Sequence, residues 1–283
     1  MKHSLHSSFY PHIDAKKFTA VVKKLRQFFD EKGFLEVHTQ NRLSILAACE
    51  NPHSIAKFTY NNNVYPLPQT GQMWLEHELL TQPNEKGFYC LSTSYRNEED
   101  PIEGRHCMIF PMFEFEFPGN MTDLALVEAE LLEFLGFKNI AHKNYEDICD
   151  EYGVSIIDND TETKMYSDIS DAILLMNFPE RTNPFWNMER HESKPDVSKK
   201  IDVILCGQET IGSAERSCDK EQMRKNFFTI EDGKYSEKLF ELFGEERVIN
   251  ELNEFLENDF FPRVGAGVGI TRLIRAMELN NLI

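Results

Sequence analysis

The sequence lacks the features of a secreted or membrane protein. In its 283 residues no apolar run approaches the ~20 residues that a membrane-spanning helix needs. The start of the chain, MKHSLHSSFYPHIDAKK, has no hydrophobic core of a signal peptide. The six cysteines form no CxxC pair, so we expect free thiols rather than disulfides or a zinc site. These absences predict a cytoplasmic protein with no membrane partner.

Basic charge is also scarce. Lys and Arg total 30 against 47 Asp and Glu, the formal net charge is −17, and no long basic cluster is present. Proteins bind nucleic acids largely with cations that neutralise phosphates, so this balance disfavours an extended RNA-binding surface but leaves room for a local basic patch. The patterns GxGxxG and GxxxxGK[ST] are absent too, so neither a Rossmann nor a P-loop nucleotide site is indicated.

The composition that remains indicates a folded globular protein. Hydrophobic residues make up 41% of the chain and aromatic residues 12%, including 22 Phe. A chain of 33.0 kDa can bury a large core, either as one domain or as a domain with a small appendage. The segment 144–170 is acidic and irregular in pattern, and we interpret it as a possible insertion or covering subdomain.

Polar chemistry and strand periodicity coincide in residues 88–117, where two strand-like runs flank a charged loop. In the second run a pleated strand would separate two sets of side chains onto opposite faces. One set is Phe113, Phe115 and Phe117, and the other is Phe110, Met112, Glu114 and Glu116. A hairpin would bring four loop side chains over the second face: Arg96, Glu98, Arg105 and His106. Cations, an aromatic ring and carboxylates on one face predict a nucleotide site.

Helical spacing and turn signals predict most of the other elements. Helices are predicted over residues 14–33, from Gly71 onward, over 121–134 with Asp123 near the N-cap, over 238–257 and around Arg272. The first of these helices fits core packing or, alternatively, a dimer interface. Strands are predicted over 34–37, from Ile173 to a turn at Pro179 with a sheet-like PFW segment after it, and from Ile201. A hairpin tip is expected at residues 61–63.

Three further segments carry polar groups that suit a ligand. Gln69, Thr70 and Gln72 lie at the start of a helix, where NH groups and neutral side chains suit the carboxylate or ammonium of an amino acid, although simple capping has the same pattern. In GQETIGSAER, small residues including Gly212 and Ser213 would let a ligand approach the backbone. Glu209 and Arg216 in that segment are either site residues or a surface salt bridge. Gly265, Gly267 and Gly269 repeat with period 2, so one face of a strand would present bare backbone.

Together these segments resemble the catalytic domain of class II aminoacyl-tRNA synthetases of the aspartate, asparagine and lysine subgroup. Residues 14–37 are similar to motif 1, although that motif normally ends in proline where this chain has Gln40. YRNE from Tyr95, GRH from Gly104 and residues 110–116 are similar to motif 2. GAGVGITR from Gly265 is similar to motif 3. The resemblance covers residue 18 to the end and implies one α+β domain over residues 1–283, with a mostly antiparallel sheet flanked by helices.

The resemblance also implies roles for individual residues. Arg96 would hold the α-phosphate of ATP, Arg272 the γ-phosphate, and Arg105 and His106 the outer phosphates. Phe110 would stack on adenine, with Glu98 near its amino group and the motif 3 glycines close to the nucleotide. Glu209 would coordinate Mg²⁺, assisted by Ser213 or a neighbour. On the amino-acid side the implied residues are Gln69, Thr70, Gln72, Glu114, Glu116 and Arg216.

The same resemblance also implies which reaction to expect. No segment before Phe18 is long enough for the anticodon-binding domain of the full synthetases, so we expect a stand-alone ligase similar to the archaeal-type asparagine synthetases. It would adenylate aspartate with ATP and Mg²⁺ and pass the acyl group to ammonia, as a homodimer. Met112 and Glu114 resemble the pattern of asparaginyl enzymes more than that of aspartyl enzymes, so asparagine or another amino acid stays open as the substrate.

Two alternatives differ in class. In the first, the adenylate is passed to tRNA, a carrier protein or a protein side chain, with tRNA disfavoured by the acidic charge. In the second, the chain is a non-catalytic amino-acid-binding relative. The presence of phosphate-binding and metal-binding residue types argues for an enzyme, since a sensor has no need of them.

Overall fold

The computed structural model describes residues 12–39, 44–48 and 50–283. Residues 1–11, 40–43 and 49 lie outside these ranges, and so do the predictions that concern the chain start and the end of motif 1. The helices are α1 Ala15–Glu31, α2 Gln72–Thr81, α3 Met121–Leu135, α4 Tyr145–Tyr152, α5 Asn159–Asp168, α6 Lys220–Thr229, α7 Lys234–Phe243, α8 Glu245–Leu256 and α9 Ile270–Leu279. The strands are β1 Leu35–Glu36, β2 Lys57–Tyr60, β3 Asn63–Pro66, β4 Phe88–Tyr95, β5 Ile109–Pro118, β6 Ala141–Asn144, β7 Ala172–Pro179, β8 Arg190–His191, β9 Lys194–Leu205, β10 Gln208–Arg216 and β11 Arg263–Gly269.

Most strands join one sheet in the order β1-β4-β5-β11-β10-β9-β7-β6, with β8 paired to β9. The outer pairs β1/β4 and β6/β7 are parallel, and the pairs between them are antiparallel. Strands β2 and β3 form a separate hairpin whose turn lies at Asn61 and Asn62. The predicted α+β class with a mostly antiparallel sheet is confirmed.

Apolar residues of one parity hold three helices against one face of the sheet. The main core combines Phe113, Phe115 and Phe117 of β5 with buried residues of α1, α3 and α9. Helix α1 begins at Asp14, whose side chain accepts hydrogen bonds from Lys16 N and Lys17 N, and the chain turns after it at Gly33 with φ +79°. This packing leaves the opposite face of β5, β11, β10 and β9 to polar side chains.

Three predicted elements differ in the structure, and two others gain detail. Segment 144–170, whose sequence pattern is irregular, contains helices α4 and α5, whose apolar side chains pack on β7. The helix predicted over 238–257 is two helices, because Gly244 adopts φ +87° between α7 and α8. Pro184 and Phe185 are irregular and Trp186 begins a turn, rather than a strand. The segment after Gly207, predicted as a loop, is strand β10. At α3 the N-cap is Asn120, and Asp123 completes its capping box.

Within the described ranges no helix is both long and apolar enough to cross a membrane.

Candidate active site

A cavity lies on the polar face of the sheet and encloses about 1370 Å³, including the space at its open mouth. Its floor consists of strands β5, β11, β10 and β9. The loop between β4 and β5 forms one wall, and residues 182–188 with Ile230 and Glu231 form another. The antiparallel pairing sets Glu114 beside Gly267, Gly267 beside Gly212, and Gly212 beside Asp202. One row of paired residues therefore crosses all four strands of the floor.

One end of the cavity collects the charged residues of the β4–β5 loop. The Arg96 guanidinium lies 5.5 Å from the centre of the Phe110 ring, and its Nη1 is 3.7 Å from a Glu98 oxygen. His106 Nδ1 lies 2.5 Å from the other Glu98 oxygen. Glu98 therefore aligns a cation and an imidazole beside an aromatic face, which is an arrangement suited to a phosphate and a purine.

Two more arginines close this end, Arg272 from α9 and Arg105 from the β4–β5 loop. Arg272 on α9 donates to the backbone oxygens of Glu209 and Arg105, at 2.5 and 3.1 Å. Arg105 donates to the Gly207 oxygen at 3.2 Å and forms an ion pair with Glu162 on α5. Because backbone carbonyls carry no net charge, Arg272 keeps its full charge for an anion, whereas Arg105 is already balanced by a carboxylate.

The opposite end contains a buried carboxylate, Glu114. Its oxygens accept hydrogen bonds from the hydroxyls of Thr70 and Ser92 and from the NH of Gly71, the last at 2.7 Å. Burial raises the pKa of the Glu114 carboxyl, although these donors favour its charged form. The TGQ turn that precedes α2 is thus tied directly to the β5 strand.

At the cavity floor, Arg216 forms part of an ionic network that continues into the buried layer beneath. Its Nε and Nη2 each donate to a Glu116 oxygen at 3.2 Å, and its Nε is 3.7 Å from Glu76. Gln72 Nε2 donates to Glu116 and to the Phe115 oxygen. Burial raises the pKa of the Glu116 carboxyl to about 7, against the opposing effect of Arg216.

Glu76 connects this network to a second arginine. It accepts hydrogen bonds from Arg263 Nε and Nη2 at 3.0 and 2.7 Å and from Asn187 Nδ2 at 2.7 Å. Counting Glu114 and Glu50, which lines the cavity close enough for its charge to act on Glu114 and Arg216, four carboxyl groups face two guanidinium groups at this end. Arg216 is therefore already neutralised by carboxylates of the protein itself, and this end of the cavity carries no surplus positive charge.

A third set of charged residues lies on the part of the cavity floor formed by β9 and β10. Lys200 Nζ donates to Asp202 Oδ2 at 2.6 Å, and the other Asp202 oxygen has no hydrogen-bond partner in the described part of the chain. Burial and, less strongly, the charge of Glu209 raise the pKa of the Asp202 carboxyl to about 7 against the effect of Lys200. For Lys200 itself the nearby carboxylates of Asp202 and Glu209 outweigh burial and raise the pKa.

The residues of this floor partly suit a divalent cation. Two carboxylates, Glu209 and Asp202, are the kind of ligand that holds Mg²⁺ together with substrate phosphates. Ser213 does not fit the predicted role, because its hydroxyl donates to the Ile201 oxygen at 3.0 Å. It also shares its strand parity with Glu215, which accepts from Met121 N on α3, on the far face of the sheet. Among the described residues no group of three or more His, Cys, Asp or Glu is arranged for a metal.

The three glycines of β11 have different surroundings. A Cβ on Gly265 would lie 1.6 Å from a Glu116 oxygen and 2.8 Å from Gln72 Nε2, so this glycine makes room for the ionic network rather than for a ligand. Gly267 and Gly269 line the cavity itself. The predicted open backbone therefore exists at two of the three positions.

Most of the predicted site residues line the one cavity. Those that do are Arg96, Glu98, Arg105, His106, Phe110, Thr70, Gln72, Glu114, Glu209, Arg216, Gly267, Gly269 and Arg272, together with Ser213, whose hydroxyl is nevertheless bonded to the Ile201 oxygen. Gln69, Glu116 and Gly265 do not. Gln69 bonds to Asn51 and Ser54 and fixes the neighbouring loop, while Glu116 lies beneath Arg216.

The sequence predictions missed Glu76, Arg263, Lys200, Asp202 and Glu162. A signal was present for two of them. Glu76 follows Gln72 by four residues on α2 and so shares its helix face. Asp202 alternates with the apolar Ile201 and Val203, which marks the polar side of β9. No local pattern marked Arg263 or Glu162, whose partners are distant in sequence.

Comparison with known proteins identifies the family to which the chain belongs. The sequence model of "tRNA synthetases class II (D, K and N)" matches residues 13–283. The chain belongs to this family of class II tRNA synthetases, whose members are ATP-dependent ligases. It is 22% identical to the aspartate–tRNA(Asp) ligase of Pyrococcus abyssi, over 93% of this chain and 65% of the relative. It is 20% identical to the lysine–tRNA ligase of Porphyromonas gingivalis, over 91% of this chain and 51% of the relative.

Solved structures show the same fold. Asparaginyl-tRNA synthetase from Pyrococcus horikoshii, complexed with asparaginyl-adenylate, superposes with a TM-score of 0.74 at 19% identity, over 92% of this chain and 64% of that one. The enzyme from Entamoeba histolytica gives 0.71 at 17% identity, over 93% and 63%. The chain thus spans about half to two thirds of the length of these relatives.

Proposed function

We propose that this protein activates an amino acid with ATP and forms an enzyme-bound aminoacyl adenylate. The observation that carries the proposal is one cavity with two chemically distinct ends. Arg96, His106, Phe110 and Arg272 collect at one end, and Glu114, Gln72 and Arg216 at the other. A triphosphate with a purine suits the first end, and the ammonium and carboxylate of an amino acid suit the second.

The proposed reaction needs placement and charge neutralisation rather than a protein nucleophile. A carboxylate oxygen of the amino acid attacks the α-phosphorus of ATP, and pyrophosphate leaves with the bonding electron pair. Arg96 would stabilise charge on the α-phosphate, and Arg272 would hold the outer phosphates. Mg²⁺, held by Glu209 and by the phosphates of ATP, would neutralise further phosphate charge.

The charge balance at the amino-acid end limits which substrates can bind there. Because Arg216 is paired with Glu116 and lies near Glu76, an isolated side-chain carboxylate gains little there and is repelled by Glu114. A neutral amide, or the zwitterionic α-amino-acid group of a substrate bound in the reverse orientation, avoids this repulsion. Two reactions meet the condition: activation of asparagine at its α-carboxylate, and activation of aspartate at its side chain for transfer to ammonia.

The reaction with aspartate and ammonia is the first candidate. It follows from the likeness to stand-alone asparagine synthetases, and the reverse orientation places the zwitterionic group of aspartate among Glu114, Gln72 and Arg216. The second candidate is activation of asparagine or another amino acid with transfer to tRNA or a protein acceptor. The net charge of −17 disfavours an extended tRNA surface.

The test is ATP turnover to AMP with each of the twenty amino acids, with and without ammonium and with and without total tRNA. Asparagine formed only when aspartate, ATP and ammonium are all present supports the first candidate. Activation of asparagine that stalls until tRNA is added supports the second. Failure to form AMP with any of the twenty amino acids would refute the adenylation proposal. Arg96→Ala should reduce turnover at least about a hundredfold, as loss of transition-state charge stabilisation does, whereas Arg26→Ala, which removes an exposed ion pair with Glu36, should not.

A further inference from the structure

Lys200 places a cation among the carboxylates to which the proposed metal would bind. Its side chain is 23% exposed and lines the cavity, with Nζ 2.6 Å from Asp202 and 4.1 Å from the centre of the Phe178 ring. Glu209, the other candidate metal ligand, is close enough for its charge to raise the Lys200 pKa. The ammonium therefore neutralises the charge that would otherwise attract a divalent ion.

The neighbouring lysine shows that this arrangement is specific to one face of β9. Lys199 points to the other side of the sheet and pairs with Glu215, at 2.7 Å and with the same 23% exposure. The two lysines have the same charge, exposure and partner type. Only Lys200 faces the cavity.

We propose that Lys200 competes with divalent cations for Asp202, so that the protein without nucleotide binds such cations weakly. The metal would then be held mainly by the phosphates and Glu209 when ATP is bound. This last step rests on the proposed function, whereas the competition at Asp202 does not. The reason is electrostatic: a fixed ammonium on one carboxylate oxygen repels a second cation and removes charge that the cation needs.

The test is titration of the full chain with Mn²⁺ alone, without nucleotide, with free Mn²⁺ measured by electron paramagnetic resonance. Lys200→Met removes the charge and keeps much of the length of the side chain. It should tighten Mn²⁺ binding by about tenfold or more, because it removes repulsion between like charges a few ångströms apart. Lys199→Met is the matched control and should leave binding unchanged. Equal affinity for wild type and Lys200→Met, or an equal rise in both variants, would overturn the proposal.

Asp202→Asn keeps the test decisive if Lys200→Met fails to fold, since a neutral amide is easier to bury than an unpaired carboxylate. If Lys200 already occupies Asp202, this variant should change the weak Mn²⁺ binding of the wild type by less than about twofold. A tenfold loss would mean that Asp202 is an open metal ligand and would refute the competition. Mn²⁺ binding needs no turnover, so its outcome stands apart from failure of the adenylation proposal.

Discussion

Buried carboxyl groups around the sheet are stabilised to very different degrees. Glu114 has three donors and Glu116 has an arginine, but Glu128 on α3 has neither. Both Glu128 oxygens are buried and make no hydrogen bond of acceptable geometry within the described residues. Burial raises the pKa of the Glu128 carboxyl to about 8, opposed only in part by the nearby Ser213 hydroxyl, so the folded protein keeps this group neutral at physiological pH.

This single residue predicts a pH dependence of stability. An unfolded glutamate ionises near its ordinary pKa of 4.5, whereas Glu128 in the folded protein stays protonated up to about pH 8. The folded state thus binds the extra proton between these values, and the contribution of Glu128 to the free energy of unfolding falls as pH rises through that window. Glu128→Gln should match wild type near pH 5 and be more stable near pH 9, by a few kcal/mol at most, since each pKa unit is worth ~1.4 kcal/mol.

Chemical denaturation at several pH values measures the effect. Glu133→Gln, an exposed change on the same helix, is the control and should leave the pH profile of wild type unaltered. A Glu128→Gln variant that loses the same stability as wild type between pH 5 and pH 9 would show that Glu128 is not a buried neutral acid.

At the scale of elements, the charged side chains of β5 lie over β11 because β11 has glycine opposite them. A Cβ at position 265 would overlap the Glu116 carboxylate and separate it from Arg216. Gly265→Ala should therefore destabilise the fold by at least about 3 kcal/mol, the typical cost of breaking a buried ion pair. It should also abolish any amino-acid-dependent ATP turnover.

The matched control is Gly269→Ala in the same strand. There a Cβ would meet only the Thr210 oxygen at 3.7 Å, and φ is −72°, so alanine fits without strain. Thermal unfolding of both variants separates the two positions. If the melting temperature of Gly265→Ala lies within a degree or two of that of Gly269→Ala, the close packing of Glu116 against β11 is not the reason that position 265 requires glycine.

The elements that sequence predicted well are those whose pattern is local. The parity of Phe113, Phe115 and Phe117 and the apolar stripe of α1 each reflect one buried face. The elements that it missed depend on information outside the segment. Gly244 breaks a continuous amphipathic pattern only because the chain turns there, and α4 and α5 are acidic because their outer faces are exposed. Their few apolar residues become interpretable only once β7 is beside them.

At the scale of the whole molecule, the site is built from contacts across long stretches of chain. Arg216 and Glu116 are 100 residues apart in sequence, and Arg263 and Glu76 are 187 apart. The family motifs identified the residues that face the cavity. They could not identify Arg263, Lys200 or Glu162, because such partners are defined only when the strands are in register.

The charge of the whole chain gives a final prediction. With 47 acidic and 30 basic residues, like charges on the folded surface repel one another at neutral pH, and unfolding relieves part of that repulsion. Raising NaCl from about 10 mM to about 150 mM shortens the Debye length from ~30 Å to ~8 Å, so surface repulsion is screened while the buried ion pairs are hardly affected. The melting temperature at pH 7.5 should rise by several degrees.

The same titration near the sequence pI of about 5.0 separates this effect from others. There the net charge is close to zero, so screening weakens attractive surface pairs as much as repulsive ones, and the melting temperature should stay constant or fall slightly. Salt stabilisation of equal size at both pH values would point to exclusion of salt from apolar surface rather than to charge screening.

Replacing Na⁺ with Mg²⁺ at equal ionic strength adds a check on the cavity: with Lys200 bound to Asp202, Mg²⁺ should raise the melting temperature no further than Na⁺ does.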